Sequence, residues 1–551
     1  MGAVQAAFSV QGLDVTDEGY SLSMQWLVHA HPASLTPDPR WLSHWLCGLS
    51  PLPGLLGLKL GWAAVSALCA LAVTAILSPL LGPRRAALAA LATALAKLFG
   101  FPGILDYNAL PAALALLASW ALLAPPTAWR WQLAGLLLGV AVACRPPLLP
   151  LLALPLLLLL LRAALDRRWP AGWGRAGAAS LTALASGAAL SAWLVAAGRV
   201  PAPWALVPQD PEAFHSPSRL LHGLWISGQL AVIRGGQGLA AALALGLLAA
   251  FASPGRRGVW PGAGGIALGG WLLWWTSGEV LACAVLLPGL TFTLGGGALL
   301  GLLLRGAPAA RERAHAEALG LGLVLMLAIP LGSTNGFLGA HQGLWLAWPA
   351  ACTLAARGEA AVPGRRGGAG LRARWLGTSG LALLLACALL GPLVRWGSPW
   401  RDGPGRLALR KGLDEPLLWG VLTSPGRADS LNGVLTALRG RVRPGEPLLA
   451  YAHVPLLHRL TGTVPALGDP WPCSYHAREV ERRLARWGPD GAPRLAVRAL
   501  CDTWHPAWGA RFVPWDAAGV RDSIHVIDAA LTARGYREVW RSRDFVLLER
   551  P

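Results

Sequence analysis

Between residues 57 and 396 one pattern repeats: an apolar run, then a short turn that often carries arginine. A helix needs about 20 apolar residues to cross the hydrocarbon core of a bilayer, and there it must satisfy its own backbone groups. Runs of this kind fall near 57–81, 86–105, 109–124, 131–144, 146–161, 176–197, 238–253, 259–278, 280–304, 318–331, 341–356 and 376–396. The pattern predicts a polytopic α-helical membrane protein with about 12 spans. The pair at 131–144 and 146–161, split by Arg145-Pro146-Pro147, reads as a tight hairpin of steep helices or a partly re-entrant one.

Composition agrees. Of 551 residues 54% are hydrophobic and 14% charged, with a mean hydropathy of +0.48, whereas a soluble domain carries about 25% charged residues. The net charge of +19 does not make a nucleic-acid face, because the basic residues are scattered through short turns between apolar runs. Lysine occurs only at Lys59, Lys97 and Lys411. So much arginine, alanine, glycine, proline and leucine is the composition of a GC-rich bacterial genome.

Arginine also sets the orientation, since short cytoplasmic loops carry the excess of basic residues. One set of alternate loops holds Arg84/Arg85, Arg130, Arg162/Arg167/Arg168/Arg175, Arg256/Arg257, Arg305/Arg311/Arg313 and Arg357/Arg365/Arg366/Arg372/Arg374. The opposite set holds only Arg40, Arg145, Arg199, Arg219 and Arg234. The first set is expected in the cytoplasm. The segment 14–50 and the tail 397–551 are then expected outside, which in a Gram-negative cell is the periplasm.

Three regions are expected: an N-terminal stub and first extracytoplasmic loop (1–56) with amphipathic helices, a transmembrane helical domain (57–396) and an extracytoplasmic α/β domain (397–551). Residues 1–13 lack the basic and apolar regions of a cleavable signal peptide. They read as a stub, with a first helix expected upstream. In the tail, strands are expected at Leu448–Ala452 and Arg494–Leu500, and helices at Val454–Leu460 and Arg521–Arg534. A closing hairpin is expected at Glu538–Arg541 and Phe545–Leu548. Cys473 and Cys501 share this region, so a disulfide between them is open. No CxxC or HxxxH pair marks a metal site.

Carboxylates near the membrane are few: Asp14, Asp17, Glu18, Asp38, Asp106, Asp210, Glu212 and Glu279. The densest group is Asp14-Val15-Thr16-Asp17-Glu18-Gly19-Tyr20, ahead of an amphipathic stretch with Leu22, Trp26 and Leu27. Adjacent carboxylates let one act as a base while the other orients it or holds a metal ion. The simpler reading is a helix cap made by Asp17 or Thr16, with Glu18 favouring the helix dipole. Spacing alone favours the cap.

The stretch Thr16-Asp17-Glu18-Gly19-Tyr20 resembles the first extracytoplasmic loop of GT-C fold glycosyltransferases, among them the protein mannosyltransferases and bacterial aminoarabinose transferases. Pro39-Arg40-Trp41-Leu42-Ser43-His44-Trp45-Leu46 is similar to the segment that ends that loop. Gly135 to Gly139 with Ala143-Cys144-Arg145-Pro146-Pro147 resembles the family's Gly-Leu-x-x-Gly…Thr-Lys-Gly-Pro segment. The tail from Pro444, closing on Gly535 to Trp540 and Phe545 to Leu548, resembles the periplasmic domain of many bacterial members. The chain departs from the family in Arg145, which stands where the family has lysine, and the family's first helix is expected upstream of residue 1.

The resemblance implies transfer of a sugar from a polyprenyl-phosphate donor, with Asp17 as catalytic base and Glu18 in support. A divalent metal ion is a possible cofactor, held by Asp17 and Glu18 if one is used. Arg145 is either the holder of the donor phosphate or a snorkelling interface arginine. Lys97 either snorkels or joins a polar cavity. Tyr20 lies in the same motif as Asp17. Asp106-Tyr107-Asn108 lines the same mouth or simply makes a turn. Glu279, Ser333-Thr334-Asn335-Gly336 and His341-Gln342 are further polar groups, His341 as a single histidine being more often structural. Expected partners are the donor lipid, membrane lipids and a glycan, lipid or protein acceptor, with no nucleic acid. A polysaccharide polymerase or ligase would place an arginine-rich loop between late spans, and here the longest outer loop (198–237) falls mid-chain. A transporter or flippase would need charges at mid-membrane and matching halves. A non-catalytic envelope scaffold remains the other alternative.

Overall fold

The computed structural model describes residues 2–50, 52–98, 103–124, 127–168, 172–200, 280–305, 308–331, 336–357 and 384–397, and most of 399–551. The expected spans at 238–253 and 259–278, most of the loop 198–237, Glu279 and Ser333 to Asn335 lie outside the described residues.

The chain opens with α1 (Gly2–Ser9), α2 (Asp17–Ala30) and α3 (Trp41–Cys47), then enters the apolar body. The body comprises α4 (Gly54–Leu81), α5 (Pro83–Ala96), α6 (Ala109–Leu123), α7 (Ala128–Cys144), α8 (Leu154–Asp166) and α9 (Trp173–Ala196). It continues with α10 (Val280–Arg305), α11 (Ala310–Ala328), α12 (Leu344–Arg357) and α13 (Leu384–Gly397). Three described stretches are long and apolar enough to cross a bilayer: Gly54–Leu81, Pro146–Asp166 and Trp173–Ala196. In these windows only 39%, 39% and 22% of residues are buried. The remainder shows apolar side chains outward, among them Leu68, Leu71, Leu157, Leu160, Leu181 and Leu184. A soluble helix turns its leucines inward and its charges outward. Leucines displayed on several helices require lipid as the outer solvent, so this is a helical membrane protein.

Small residues let two helices approach closely. A Cβ on Gly135 would run into the Ala179 carbonyl, and one on Gly139 would meet the Ala183 carbonyl and Gly187. Without a hydrophobic force between helices in lipid, such close backbone approach is what holds α7 to α9. Two ion pairs tie α8 to α11: Arg162 to Glu317 at 2.7 Å and Arg313 to Asp166 at 2.8 Å. The expected span at 86–105 is shorter here, since helix α5 ends at Ala96 with Lys97 as its cap. After Cys144 the Arg145 backbone turns extended, and Pro146–Ala153 forms a 3-10 segment leading into α8. Proline removes the donors a continuous α-helix would need.

The C-terminal unit adds α14 (Pro425–Leu438), β1 (Pro447–Tyr451), α15 (Leu456–Thr461), β2 (Val464–Pro465) and α16 (Ala477–Ala485). It closes with β3 (Leu495–Ala499), α17 (Gly519–Ala533), β4 (Arg537–Arg541) and β5 (Phe545–Glu549). The strands make one mixed sheet ordered β2-β1-β3-β5-β4, parallel across β2-β1-β3 and antiparallel across β3-β5-β4. The strands, helices and hairpin expected between Leu448 and Leu548 all appear. Cys473 and Cys501 are buried thiols and form no disulfide; the Cys473 sulfur accepts the Ala452 N–H at 3.3 Å.

The sheet's core includes Leu13, Val15 and Leu22 of the first loop, Leu55 and Leu58 at the start of α4, and Ile104. Gly12 N–H donates to the Leu422 carbonyl at 2.9 Å, and Leu456 N–H to that of Val15 at 3.3 Å. The first loop is thus held between the helical body and the C-terminal sheet.

Candidate functional site

The helix that follows the acidic motif begins with a cap, but its residues are not the expected ones. Neither Thr16 nor Asp17 caps by its side chain. The Asp14 carboxylate instead accepts the N–H groups of Thr16 (2.9 Å) and Asp17 (3.2 Å), and the Glu18 carboxylate accepts the Asp14 N–H at 3.2 Å. Two carboxylates thereby satisfy three backbone donors at the start of α2. The third, Asp17, is left out of the cap and faces the C-terminal unit.

There it meets Arg401, whose Nη1 lies 2.8 Å from Asp17 Oδ2 and 3.6 Å from Asp14 Oδ2. Arg401 holds a left-handed backbone, at φ 47°. Its carbonyl accepts from Arg427, 2.7 Å away, and Arg427 also donates to the Leu13 carbonyl. The next residue, Asp402, accepts from Leu13 N–H at 2.9 Å, across 389 residues of sequence, and from Thr423 at 2.7 Å. Such a conformation costs a non-glycine residue about 1–3 kcal/mol and persists only where surrounding contacts fix it. Here they do.

The Asp17 side chain keeps 31% of its surface exposed, while those of Asp14 and Glu18 keep almost none. Even so, the surrounding protein disfavours its charge. Burial raises its pKa from 3.8 to about 6, Arg401 opposing the rise and Asp14 and Asp106 adding to it. Glu18 is also pushed up by burial, with Lys59 pulling it back. Its Oε2 sits 3.3 Å from Lys59 Nζ, which also donates to the Gly12 carbonyl at 2.5 Å. Asp17 and Glu18 therefore face different cations. A divalent ion shared by the two would have to displace both, so this pair does not fit a joint metal site.

Around Asp17 the structure gathers most of the expected binding residues. Asp106 and Arg145 lie within electrostatic reach of each other, and Tyr107 within reach of Asp17 and Arg145. Arg40 donates to Tyr20 Oη at 2.9 Å, holds Asp38 through two nitrogens and lies over the Tyr107 ring at 4.8 Å. Burial would raise Asp38, but Arg40 outweighs it and holds the carboxylate at about 2. His44, between the Tyr20 and Tyr107 rings at 5.7 and 5.3 Å, is pushed down to about 3 by burial and Arg40, so it stays neutral. Asp106 is largely committed to turn duty: it accepts N–H from Asn108 (3.0 Å) and Ala109 (2.7 Å) and the Asn108 amide at 3.1 Å. Arg145 is buried at the end of α7 and donates to the Leu331 carbonyl at 3.2 Å.

Lys97 and His341 lie elsewhere. Lys97 Nζ donates to the His341 carbonyl at 2.5 Å and sits 5.1 Å from the Trp345 ring centre. Both residues line a small cavity of about 20 Å³ with Ser66, Cys69 and Gln342.

Several groups at the mouth carry no mark in the sequence. Arg401 stands in the tail with no spacing that ties it to Asp17. His453, at φ 71° after β1, accepts the Trp471 indole N–H on Nδ1 at 2.8 Å. Burial and the charge of Arg401 push it down to about 3, leaving a neutral ring. The Trp471 ring in turn lies 5.8 Å from that of Tyr20. The only sequence signal for this group is the change of composition after Pro399, where charged residues begin to alternate with apolar ones.

No family model matches the chain, and no curated protein matches it. Among solved structures, ArnT from Cupriavidus metallidurans in the apo state aligns over 100% of this chain and 96% of its own, at 14% identity and a TM-score of 0.42. The same protein bound to undecaprenyl phosphate aligns over the same shares at 15% identity and a TM-score of 0.41.

Proposed function

We propose that the chain is a membrane glycosyltransferase of GT-C type. It moves a sugar from a polyprenyl-phosphate donor to a lipid, glycan or protein acceptor on the outer face of a bacterial inner membrane. The C-terminal unit is extracytoplasmic in this reading. The observation that carries the proposal is Asp17: of three clustered carboxylates, it alone is spared by the helix cap, partly open to solvent, and poised at about 6.

Those properties suit a general base at neutral pH. Asp17 takes the proton of an acceptor hydroxyl or amine. The freed lone pair attacks the anomeric carbon, the bond from that carbon to the phosphate oxygen breaks, and the phosphate leaves with the electron pair. The leaving group is anionic from the start, so cations are needed more than an acid. Arg145 and Arg40, both beside Tyr107, supply them, and a guanidinium can hold phosphate through two nitrogens. Tyr20, Tyr107 and Asn108 form the wall beside them. Arg401 orients Asp17. Glu18 acts one step back by holding Asp14 and Lys59, and the Lys97–His341 cavity packs against the start of α6 through Ala109 and Ala112.

The test is donor binding. Purified protein in detergent is offered polyprenyl phosphates and followed by native mass spectrometry. Retention of the lipid by wild type, weakened in Arg145→Ala, supports the assignment. No retention by folded wild-type protein overturns it.

A further inference from the structure

Two turns of the C-terminal unit present large apolar side chains outward. Leu407 is 84% exposed and Trp419 77%, the highest values among the large apolar residues of the described chain. Isolated exposed apolar side chains are common enough to need no account. Their position is what calls for one.

Each turn is fastened to the end of a helix of the apolar body. The 406–408 turn is tied to α13, because Arg406 Nε donates to the Arg395 carbonyl at 2.8 Å in that helix's last turn. Trp396 beside it is 56% exposed. The 416–420 turn lies on the start of α4. A Cβ on Gly54 would run into the Leu417 carbonyl, and one on Gly420 would come within 2.8 Å of Leu56. Just before α4, Leu49 and Leu52 are 56% and 50% exposed. Leu407 therefore stands level with the end of α13, whose neighbouring turns show Leu389 and Leu393 outward, and Trp419 stands level with the start of α4. Exposed Arg410 and Lys411 follow in the same segment, Lys411 pairing with Asp429.

We propose that Leu407 and Trp419, with Leu49, Leu52 and Trp396, form a membrane-docking surface through which the C-terminal unit rests in the headgroup region of the bilayer. The occupant is lipid. The surface is continuous with the outward leucines of α13, its tryptophans suit the membrane–water boundary, and Arg410 can reach lipid phosphates. Arg401 lies in the chain between Trp396 and Leu407, so docking both turns holds its backbone at one height above Asp17. This proposal does not depend on the catalytic reading.

The test uses full-length protein in nanodiscs of zwitterionic and anionic phospholipid. Spin labels are placed at Leu407→Cys and, separately, at Trp419→Cys. Arg478→Cys, an exposed position on α16, serves as the water reference, and the signal of unsubstituted labelled protein is subtracted. Relaxation by oxygen and by a water-soluble nickel chelate is then compared. The expected result is an oxygen-to-nickel ratio several-fold higher at 407 and 419 than at 478. A ratio equal to that at 478 puts both side chains in water and overturns the proposal. Low access for both reagents would mean that another protein segment covers the surface, and overturns it equally.

Discussion

The mouth around Asp17 and the cavity around Lys97 bury charge in opposite ways. At the mouth, opposite charges stand beside one another: Asp17 and Asp14 near Arg401, Asp38 on Arg40, Glu18 on Lys59. Asp17 also keeps contact with solvent. In the cavity, Lys97 is 5% exposed and rests on a carbonyl and an indole face, and among the described residues no carboxylate lies within ion-pair distance of it. A cavity of about 20 Å³ has room for a water and not for a sugar. The first arrangement can exchange partners when an anionic substrate arrives; the second is a fixed cation in a closed wall. Chemistry is therefore expected at the first, and packing support at the second.

The sharpest way to break that contrast is to neutralise each group in turn. Asp17→Asn is expected to lower sugar transfer by about 10²–10⁴-fold, the usual worth of a general base. Lys97→Met should cost far less, since it removes no group that meets substrate. Equal losses, read as initial rates on donor lipid in nanodiscs, would erase the distinction.

Glu18 separates position from chemistry. Its pair with Lys59 is buried on both sides, so Glu18→Ala leaves an ammonium without its partner and should cost about 3–5 kcal/mol of stability. Thermal unfolding would show it as a lower melting temperature. Asp17→Asn, one residue away, should show no such fall.

Arg145→Ala should weaken donor-lipid binding about 10- to 100-fold, matching the 1.5–3 kcal/mol of a charge-assisted hydrogen bond. Native mass spectrometry across a lipid titration reads this directly. His341→Gln, in the cavity, should leave the titration unchanged.

The pH dependence is the smallest effect and has two parts. As a base Asp17 must be ionised, so transfer should fall as pH drops through about 6. For stability the sign is opposite. The folded pKa lies above the ordinary 3.8, so folding favours the neutral acid, and stability is lost as pH rises from 3.8 to about 6. Asp17→Asn should therefore melt higher than wild type at pH 8, with the gap closing toward pH 4. A wild type that melts no lower than the variant at pH 8 would contradict the burial argument.

Much of the architecture was legible because its signals are local. Apolar runs set the helices, and alternation with turn residues set β1, β3 and the β4–β5 hairpin. The boundaries that shifted did so for local reasons too, as where Lys97 caps α5 early. In the site, the acidic motif was visible, but its division of labour was not. Whether Asp14, Thr16 or Asp17 caps α2 depends on side-chain rotamers at one turn, which spacing leaves open. Arg401 and His453 were invisible for a different reason. They reach the motif only through the fold, by a core in which Leu13 and Val15 pack with Leu448 and Leu547. Asp106 was legible both as mouth and as turn, and it is chiefly the turn.

In the proposed reaction Asp17 is the base of a sugar transfer from a polyprenyl phosphate. The most direct measurement offers wild type and Asp17→Asn, reconstituted in the same nanodiscs, a panel of radiolabelled polyprenyl-phosphate sugars with bacterial envelope extract as acceptor. Label is expected to move to an acceptor with wild type and at least one donor, and that transfer is expected to be lost in the variant. Transfer at the same rate by both proteins would contradict it.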